Sequence, residues 1–207
     1  MACTGKCRHC SEGEHTSRAE HIDAEIASNA VREICKYYTI ESLMTFGGEP
    51  LLYPDIDEIL PVAKEMGFHV SVVSNGSLMD EEWFMRFSGI VEYVGISVDS
   101  PDESDEIAIG RHIRGKEHIQ NVKELAHLAH KYGVGFKLNI TVVSRSWDKD
   151  FGPLIRETRP DRVKAFRALS LKNANSEGSE EWVITDEQFG VFKENRSEER
   201  RVGKECR

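Results

Sequence analysis

The chain has 207 residues, 39% of them hydrophobic and 30% charged, enough apolar side chain to bury one full core. Its formal net charge of −9 argues against a nucleic-acid-binding surface, though not against a local basic pocket. No run approaches the roughly 18 apolar residues of a membrane span, and no charged-then-apolar leader suggests a signal peptide, so neither a membrane nor a nucleic acid is expected as a partner.

The first element is a cysteine loop, in which Cys3, Cys7 and Cys10 are spaced C-x3-C-x2-C. Three thiolates can hold a cubane iron–sulfur cluster by three of its four irons. Ferredoxins fill the fourth corner with another cysteine; none lies nearby here, so that iron would be open to a small molecule. The same thiols with His9 or His15 could instead close a tetrahedral zinc site in a non-catalytic metal-binding module. Free thiols beside polar residues point to a reducing, cytoplasmic compartment. His15 and His21 read as solvated surface residues.

Beyond the loop, Ile22, Ile26, Ala30, Ile34 and Tyr38 recur at helical spacing over 22–38, with Cys35 as a small buried apolar residue on that helix. A short apolar strand at 42–46 runs into Gly47-Gly48-Glu49-Pro50. The pattern then alternates: helix 55–66, strand 68–73, helix 80–87, strand 91–98, helix 116–132, strand 134–143, a weaker helix at 147–158 and strand 162–169. A polar loop at 172–181 follows, and Thr185 is placed to cap a last helix. Residues 196–207 read RSEERRVGKECR. That string lacks any apolar period and looks like the translation of a sequencing adapter, so it is set aside together with Cys206. Residues 1–195 are taken as one incomplete domain; the alternative is a real, solvated, charged tail.

Strand–helix alternation implies right-handed crossovers and a parallel sheet. The polar punctuation, Gly47-Gly48-Glu49, Ser74-Asn75-Gly76-Ser77 and Asp99-Ser100, falls at strand C-terminal ends, where parallel α/β folds place their ligands. Strand parity adds a second signal. Lys137 and Asn139 share one face, opposite Phe136, Leu138 and Ile140; Arg162 and Lys164 share a face, opposite Val163 and Ala165. Cations are rarely buried unpaired. Three of them on neighbouring strands suggest an interior that holds an anion, unless they pair internally with Glu49 or Asp99.

The cysteine spacing together with Gly47-Gly48-Glu49 resembles the radical S-adenosylmethionine (SAM) superfamily. Over about half the chain the likeness is more particular, to the viperin-like nucleotide dehydratases. It is carried by 71–78 (SVVSNGSL), Trp83-Phe84, Ile96-Ser97-Val98-Asp99-Ser100, Ile109-Gly110-Arg111, Phe136-Lys137-Leu138-Asn139 and Arg162-Val163-Lys164-Ala165-Phe166. The resemblance implies an α/β fold, a partial (β/α)6 TIM-like barrel with its first strand absent here. It implies a 4Fe–4S cluster on Cys3, Cys7 and Cys10, with SAM on its open iron. Around SAM it places His9 near the adenine, Gly47, Gly48 and Glu49 at the methionine end, and Ser74, Asn75 and Ser97 as hydrogen-bonding groups. Arg111 would grip the SAM carboxylate, a task that suits a planar guanidinium.

An external electron donor would reduce the cluster, SAM would be cleaved, and the resulting 5′-deoxyadenosyl radical would take a hydrogen atom from the substrate. Lys137, Asn139, Arg162 and Lys164 match the residues with which that family holds a nucleoside triphosphate. The implied product is a 3′-deoxy-3′,4′-didehydro nucleotide, made in antiviral defence. Ser42 and Phe46 depart from the family's phosphate-side Lys and Ser. The stretch from Cys10 to Tyr53 is also similar to radical SAM proteins that modify peptides, so a peptide or another small molecule is the alternative substrate.

Overall fold

The computed structural model describes residues 2–10, 22–111, 115–170 and 178–194. His15, His21, Cys206 and the string at 196–207 lie outside the described residues, as does most of the polar loop.

Five strands form one sheet in sequential order: β1 (Ser42–Thr45), β2 (His69–Ser74), β3 (Tyr93–Val98), β4 (Gly135–Val142) and β5 (Arg162–Arg167). Every neighbouring pair is parallel. Sequential order makes each crossover step in the same direction, and right-handed crossovers then bring the helices to one face. The sheet curls into a half-barrel with that face outward. Its outer side is dry, formed by Val70, Val72, Val94, Ile96, Val98, Phe136, Leu138, Ile140 and Val142. The inner side carries the polar alternates. β4 shows the split most clearly, with burial alternating residue by residue along its length, as a strand with one covered and one open face requires.

The helices are α1 (Ala24–Cys35), α2 (Ile56–Glu65), α3 (Glu81–Phe87), α4 (Glu103–Ile109), α5 (His118–Lys131), α6 (Gly152–Thr158) and α7 (Asp186–Glu194). Asp23 caps α1 through Glu25 N (2.8 Å), and Asp80 caps α3 through Trp83 N (2.9 Å), each satisfying an orphan amide of a first turn. Leu60, Ala63, Trp83, Phe84, Val122, Leu125, Ala126 and Ala129 of α2, α3 and α5 are buried in the core with the outer face of the sheet.

Three elements differ from the pattern read in the sequence. Helix α4 was not expected. Its acid-rich run looks like a solvated loop, yet Asp105 and Glu106 are buried. Helix α6 begins at Gly152 rather than 147, because Ser146 and Lys149 hydrogen-bond into turns and Pro153 occupies the first helical turn. Helix α1 has two apolar stripes and buries the smaller one. Ala24 is buried, and Val31 and half-buried Cys35 pack against the core, while Ile22, Ile26, Ile34 and Tyr38 are exposed. A stripe of small residues lets the helix approach α2 closely; Ala24 N donates to Asp55 Oδ2 of the turn before α2 (3.2 Å).

Candidate active site

The cysteine loop lies across three chain ends at the C-terminal edge of the sheet. Lys6 N and Arg8 N donate to Gly110 O and Ile109 O at the end of α4 (2.9 Å each), and Glu49 N donates to Ala2 O (3.0 Å). Thr4 Oγ1 meets Ser77 Oγ (2.6 Å). Asn75 Nδ2 donates to Thr4 Oγ1 (2.8 Å) and reaches Cys3 Sγ at 3.7 Å. Gly110 makes the close approach possible: its φ is +93°, and a Cβ there would fall 2.2 Å from Lys6 O.

Among the described residues Cys3, Cys7 and Cys10 form no disulfide. The Cys3 and Cys7 sulfurs both flank Gly5, at 3.9 and 3.7 Å from where its Cβ would stand. Among the described residues, no three His, Cys, Asp or Glu side chains converge as they would around a single ion. A cubane takes each thiolate on a different iron and needs no such convergence, so the donor set fits a cluster. Burial pushes the Cys7 thiol up to about 12, with Arg111 pulling the other way. Cys7 also packs against a second, smaller apolar core of Ile109, Val143, Ala168 and Trp182.

Gly47 and Gly48, with φ of +90° and +56°, carry the chain from β1 to buried Glu49. The Glu49 carboxylate accepts from Ser74 Oγ (2.8 Å), Asn75 N (2.9 Å) and Leu51 N (3.3 Å). It therefore ties the end of β1 to the end of β2 and keeps acceptor capacity for one further donor. Burial raises its pKa, restrained by those bonds and by Arg111.

Behind the cysteine loop sits a buried charge network. Arg111 Nε donates to Asp99 Oδ2 (2.5 Å), with Glu106 Oε2 at 3.9 Å. His9 Nε2 lies 3.4 Å from the same Asp99 oxygen, and Thr141 N donates to the other (3.2 Å). Burial works to raise the Asp99 carboxyl, but Arg111 and His9 outweigh it and hold it below its ordinary value. Burial lowers the His9 pKa against the pull of Asp99. The Arg111 pKa is raised, Asp99 and the other nearby negative groups outweighing the burial that opposes it. Only Nε of Arg111 is engaged among the described residues, which leaves the terminal fork for an incoming carboxylate. Ser97 offers its carbonyl to His118 Nε2 (2.9 Å).

The cationic residues line the inner face two strands away. Lys137 pairs in register with Arg162, and Asn139 with Lys164, so all four share that face. Asn139 also lies beside Ser97 in register and leans over Gly95, where a Cβ would meet its Nδ2 at 2.6 Å. The charges acting on Lys137 are those of Arg162 and Lys164, and burial and both cations lower its pKa. The suggested internal pairing with Glu49 or Asp99 is not formed by Lys137: those carboxylates are engaged by the β2 end and by Arg111, respectively.

All the described site residues expected from the sequence thus fall on one edge and the inner face of one sheet. Glu106 and His118 were missed. Each is buried at this edge, but nothing in an acidic helix or at a helix start marks a side chain that will turn inward.

Comparisons with known proteins agree with this geometry. Residues 1–158 match the radical SAM superfamily. The chain is 45% identical over 199 residues to an S-adenosylmethionine-dependent nucleotide dehydratase of a Thermoplasmatales archaeon (strain ISO4-H5), covering 92% of this chain and 67% of that protein. It is 30% identical over 206 residues to the dehydratase RSAD2 of Oncorhynchus mykiss, covering 94% of this chain but 58% of that protein. Among solved structures, anSMEcpe with bound AdoMet superposes with a TM-score of 0.74 at 21% identity, over 94% of this chain and 54% of that one; this likeness shows the fold. Among the described residues no helix is long and apolar enough to cross a membrane. The chain belongs to the radical SAM superfamily and is an enzyme of that family that uses S-adenosylmethionine, similar in sequence to the viperin-like nucleotide dehydratases.

Proposed function

We propose that the chain carries the core of a nucleotide dehydratase, acting on a nucleoside triphosphate. The observation that carries this reading is the cationic inner face: Lys137, Arg162 and Lys164 stand together on β4 and β5 with Asn139, and among the described residues the charges acting on Lys137 are the two cations. A triphosphate is the common metabolite group that matches such a surface. The 45% identical relative, matched over 92% of this chain, is named for the same activity, whereas the peptide alternative rests on the shorter stretch from Cys10 to Tyr53.

In this reading Cys3, Cys7 and Cys10 would hold a 4Fe–4S cluster, which would supply reductive cleavage of SAM and, through it, the means to remove the ribose 4′ hydrogen atom. Gly47 and Gly48 admit backbone close to the methionine end, Glu49 accepts from its ammonium, and the free fork of Arg111 takes its carboxylate. Ser74, Asn75 and Ser97 add hydrogen bonds, and His9 stacks near the adenine. Lys137, Asn139, Arg162 and Lys164 fix the nucleotide with its ribose toward the cluster edge. Loss of the 4′ hydrogen atom and departure of the 3′ hydroxyl, protonated to water, leave the sugar one electron short; the external donor supplies it and the didehydro nucleotide results.

The test is anaerobic incubation of the reconstituted protein with SAM, reductant and each nucleoside triphosphate in turn. Release of 5′-deoxyadenosine that depends on a nucleotide, with a nucleotide product lighter by one water, supports the reading. Release that appears only with a peptide overturns it. Cys7→Ala should abolish iron binding; cubane absorption retained in that variant would contradict the ligand assignment.

A further inference from the structure

Three cations gathered on one open face repel one another before any substrate arrives. The usual remedy is a carboxylate among them, but a carboxylate would compete with the anion for the same ammonium groups. Here the support for Lys137 is an aromatic face. Its Nζ lies 4.0 Å from the centroid of the Tyr93 ring, and the ring attracts the ammonium through its quadrupole while adding no negative charge. Tyr93 opens β3 on the same inner face, in register with Ser71 on one side and Gly135 on the other. The backbone is adapted to it. A Cβ on Gly135 would fall 2.3 Å from the ring, so only glycine lets Tyr93 lie flat across the start of β4. His69, at the start of β2, stacks on the ring with centroids 5.5 Å apart and limits its movement toward the other side.

We propose that Tyr93 is a positioning residue of the anion site, holding the Lys137 ammonium inside the half-barrel in a charge-neutral way, with Gly135 making room for the ring. The inference rests on the reading of Lys137, Arg162 and Lys164 as a triphosphate site. It accounts for an aromatic ring placed directly against the Lys137 ammonium and for a glycine at the first position of a strand.

Inorganic tripolyphosphate is a suitable probe, because it tests the site without involving the base or the radical chemistry. Its binding to the cluster-loaded protein is measured by calorimetry, with SAM affinity as the check that the rest of the site is intact. Tyr93→Leu, which keeps an apolar side chain but removes the ring, should weaken tripolyphosphate binding about five- to tenfold. Tyr93→Phe should stay within about twofold of the parent, and Gly135→Ala should behave like Tyr93→Leu. Because ring and ammonium act as a unit, Tyr93→Leu combined with Lys137→Ala should bind no more weakly than Lys137→Ala alone. Parent-like binding by Tyr93→Leu, a loss in Tyr93→Phe as large as in Tyr93→Leu, or additive losses in the double variant would overturn the assignment. If Lys137→Ala and Lys164→Ala both leave tripolyphosphate binding unchanged, or the parent does not bind it, the triphosphate reading itself fails, and Tyr93 loses its role with it.

Discussion

Glu106 sits beneath Arg111 with its whole side chain buried. Its Oε1 accepts from Asp99 N (2.8 Å) and Ser100 N (2.5 Å), closing the turn after β3. Among the described residues its Oε2 has no hydrogen-bond partner; His118 Nε2 lies 3.4 Å and Arg111 Nε 3.9 Å away. The His118 proton is already given to Ser97 O, and burial, aided by Arg111, pushes that imidazole down to about 4. One positive charge therefore faces two carboxylates. Asp99 takes it at contact distance, and burial followed by the Asp99 charge drives Glu106 well above its ordinary value, which favours its protonated form in the fold. The sign follows. Above pH 4.5 the unfolded chain releases this proton while the folded one keeps it, so stability falls as pH rises, by about 1.4 kcal/mol per unit, until the folded group titrates. Asp99 does the opposite in a lower window: its contribution is present above pH 3.8 and is lost as pH falls through its depressed value. Glu106→Gln keeps the carbonyl acceptor and removes the titration. Urea midpoints between pH 5 and 8 should show a flatter profile than the parent, with no loss at pH 7. A variant about 2 kcal/mol or more less stable at pH 7 would mean that the carboxylate is ionised and paired in the fold.

At the scale of elements, the alternation of strands and helices was legible because period 2 and period 3.6 differ plainly in 69–74, 93–98, 118–131 and 135–142. What was not legible came from tertiary choice. Two apolar stripes compete on α1, and only the neighbour α2 decides between them. The α4 segment, Glu103–Ile109, is polar by composition and becomes a helix because its carboxylates are consumed inside: Glu106 by the β3 turn, Glu103 by the His118 and Ile119 amides that open α5 (2.9 and 2.8 Å). The end of that helix carries a prediction. Gly110 is its left-handed cap, and two backbone bonds from the cysteine loop land on Ile109 and Gly110. Gly110→Ala faces both the left-handed strain, of order 1–2 kcal/mol, and overlap with Lys6 O. The helix sits at the rim of the sheet, so the loop is the part that must yield. Iron content after reconstitution should fall at least fivefold, while far-UV circular dichroism and the cooperativity of unfolding stay close to the parent. Full iron loading in Gly110→Ala would show that the loop does not depend on this docking.

For the molecule as a whole, the candidate site could be foreseen in outline, because cysteines at C-x3-C-x2-C, paired glycines after a strand and cations at alternate strand positions each have a narrow physical meaning. Tyr93, Glu106 and His118 could not be, because their roles exist only once β3, β4 and α5 are side by side. Assembly also places a cost on the fold. An acidic chain concentrates three of its cations on one inner face, where Lys137 is acted on by Arg162 and Lys164 and by burial, all in the same direction. Removing one of them should relieve the ligand-free protein and damage ligand binding together, the opposition expected where function opposes stability. Lys164→Ala is the clean case, since Lys164 stands half-buried on the inner face of β5, beside Asn139. Its ligand-free melting temperature should rise by about 1–2 °C, corresponding to a few tenths of a kcal/mol for a chain of this size. The rise that nucleoside triphosphate produces in the parent should shrink, because stabilisation by a ligand scales with the logarithm of its concentration over Kd. Thermal scans with and without millimolar nucleotide, at low ionic strength where exposed charges are least screened, report both quantities on one sample. A variant that melts lower without ligand and still gains as much from nucleotide would show that Lys164 serves the fold and not the anion.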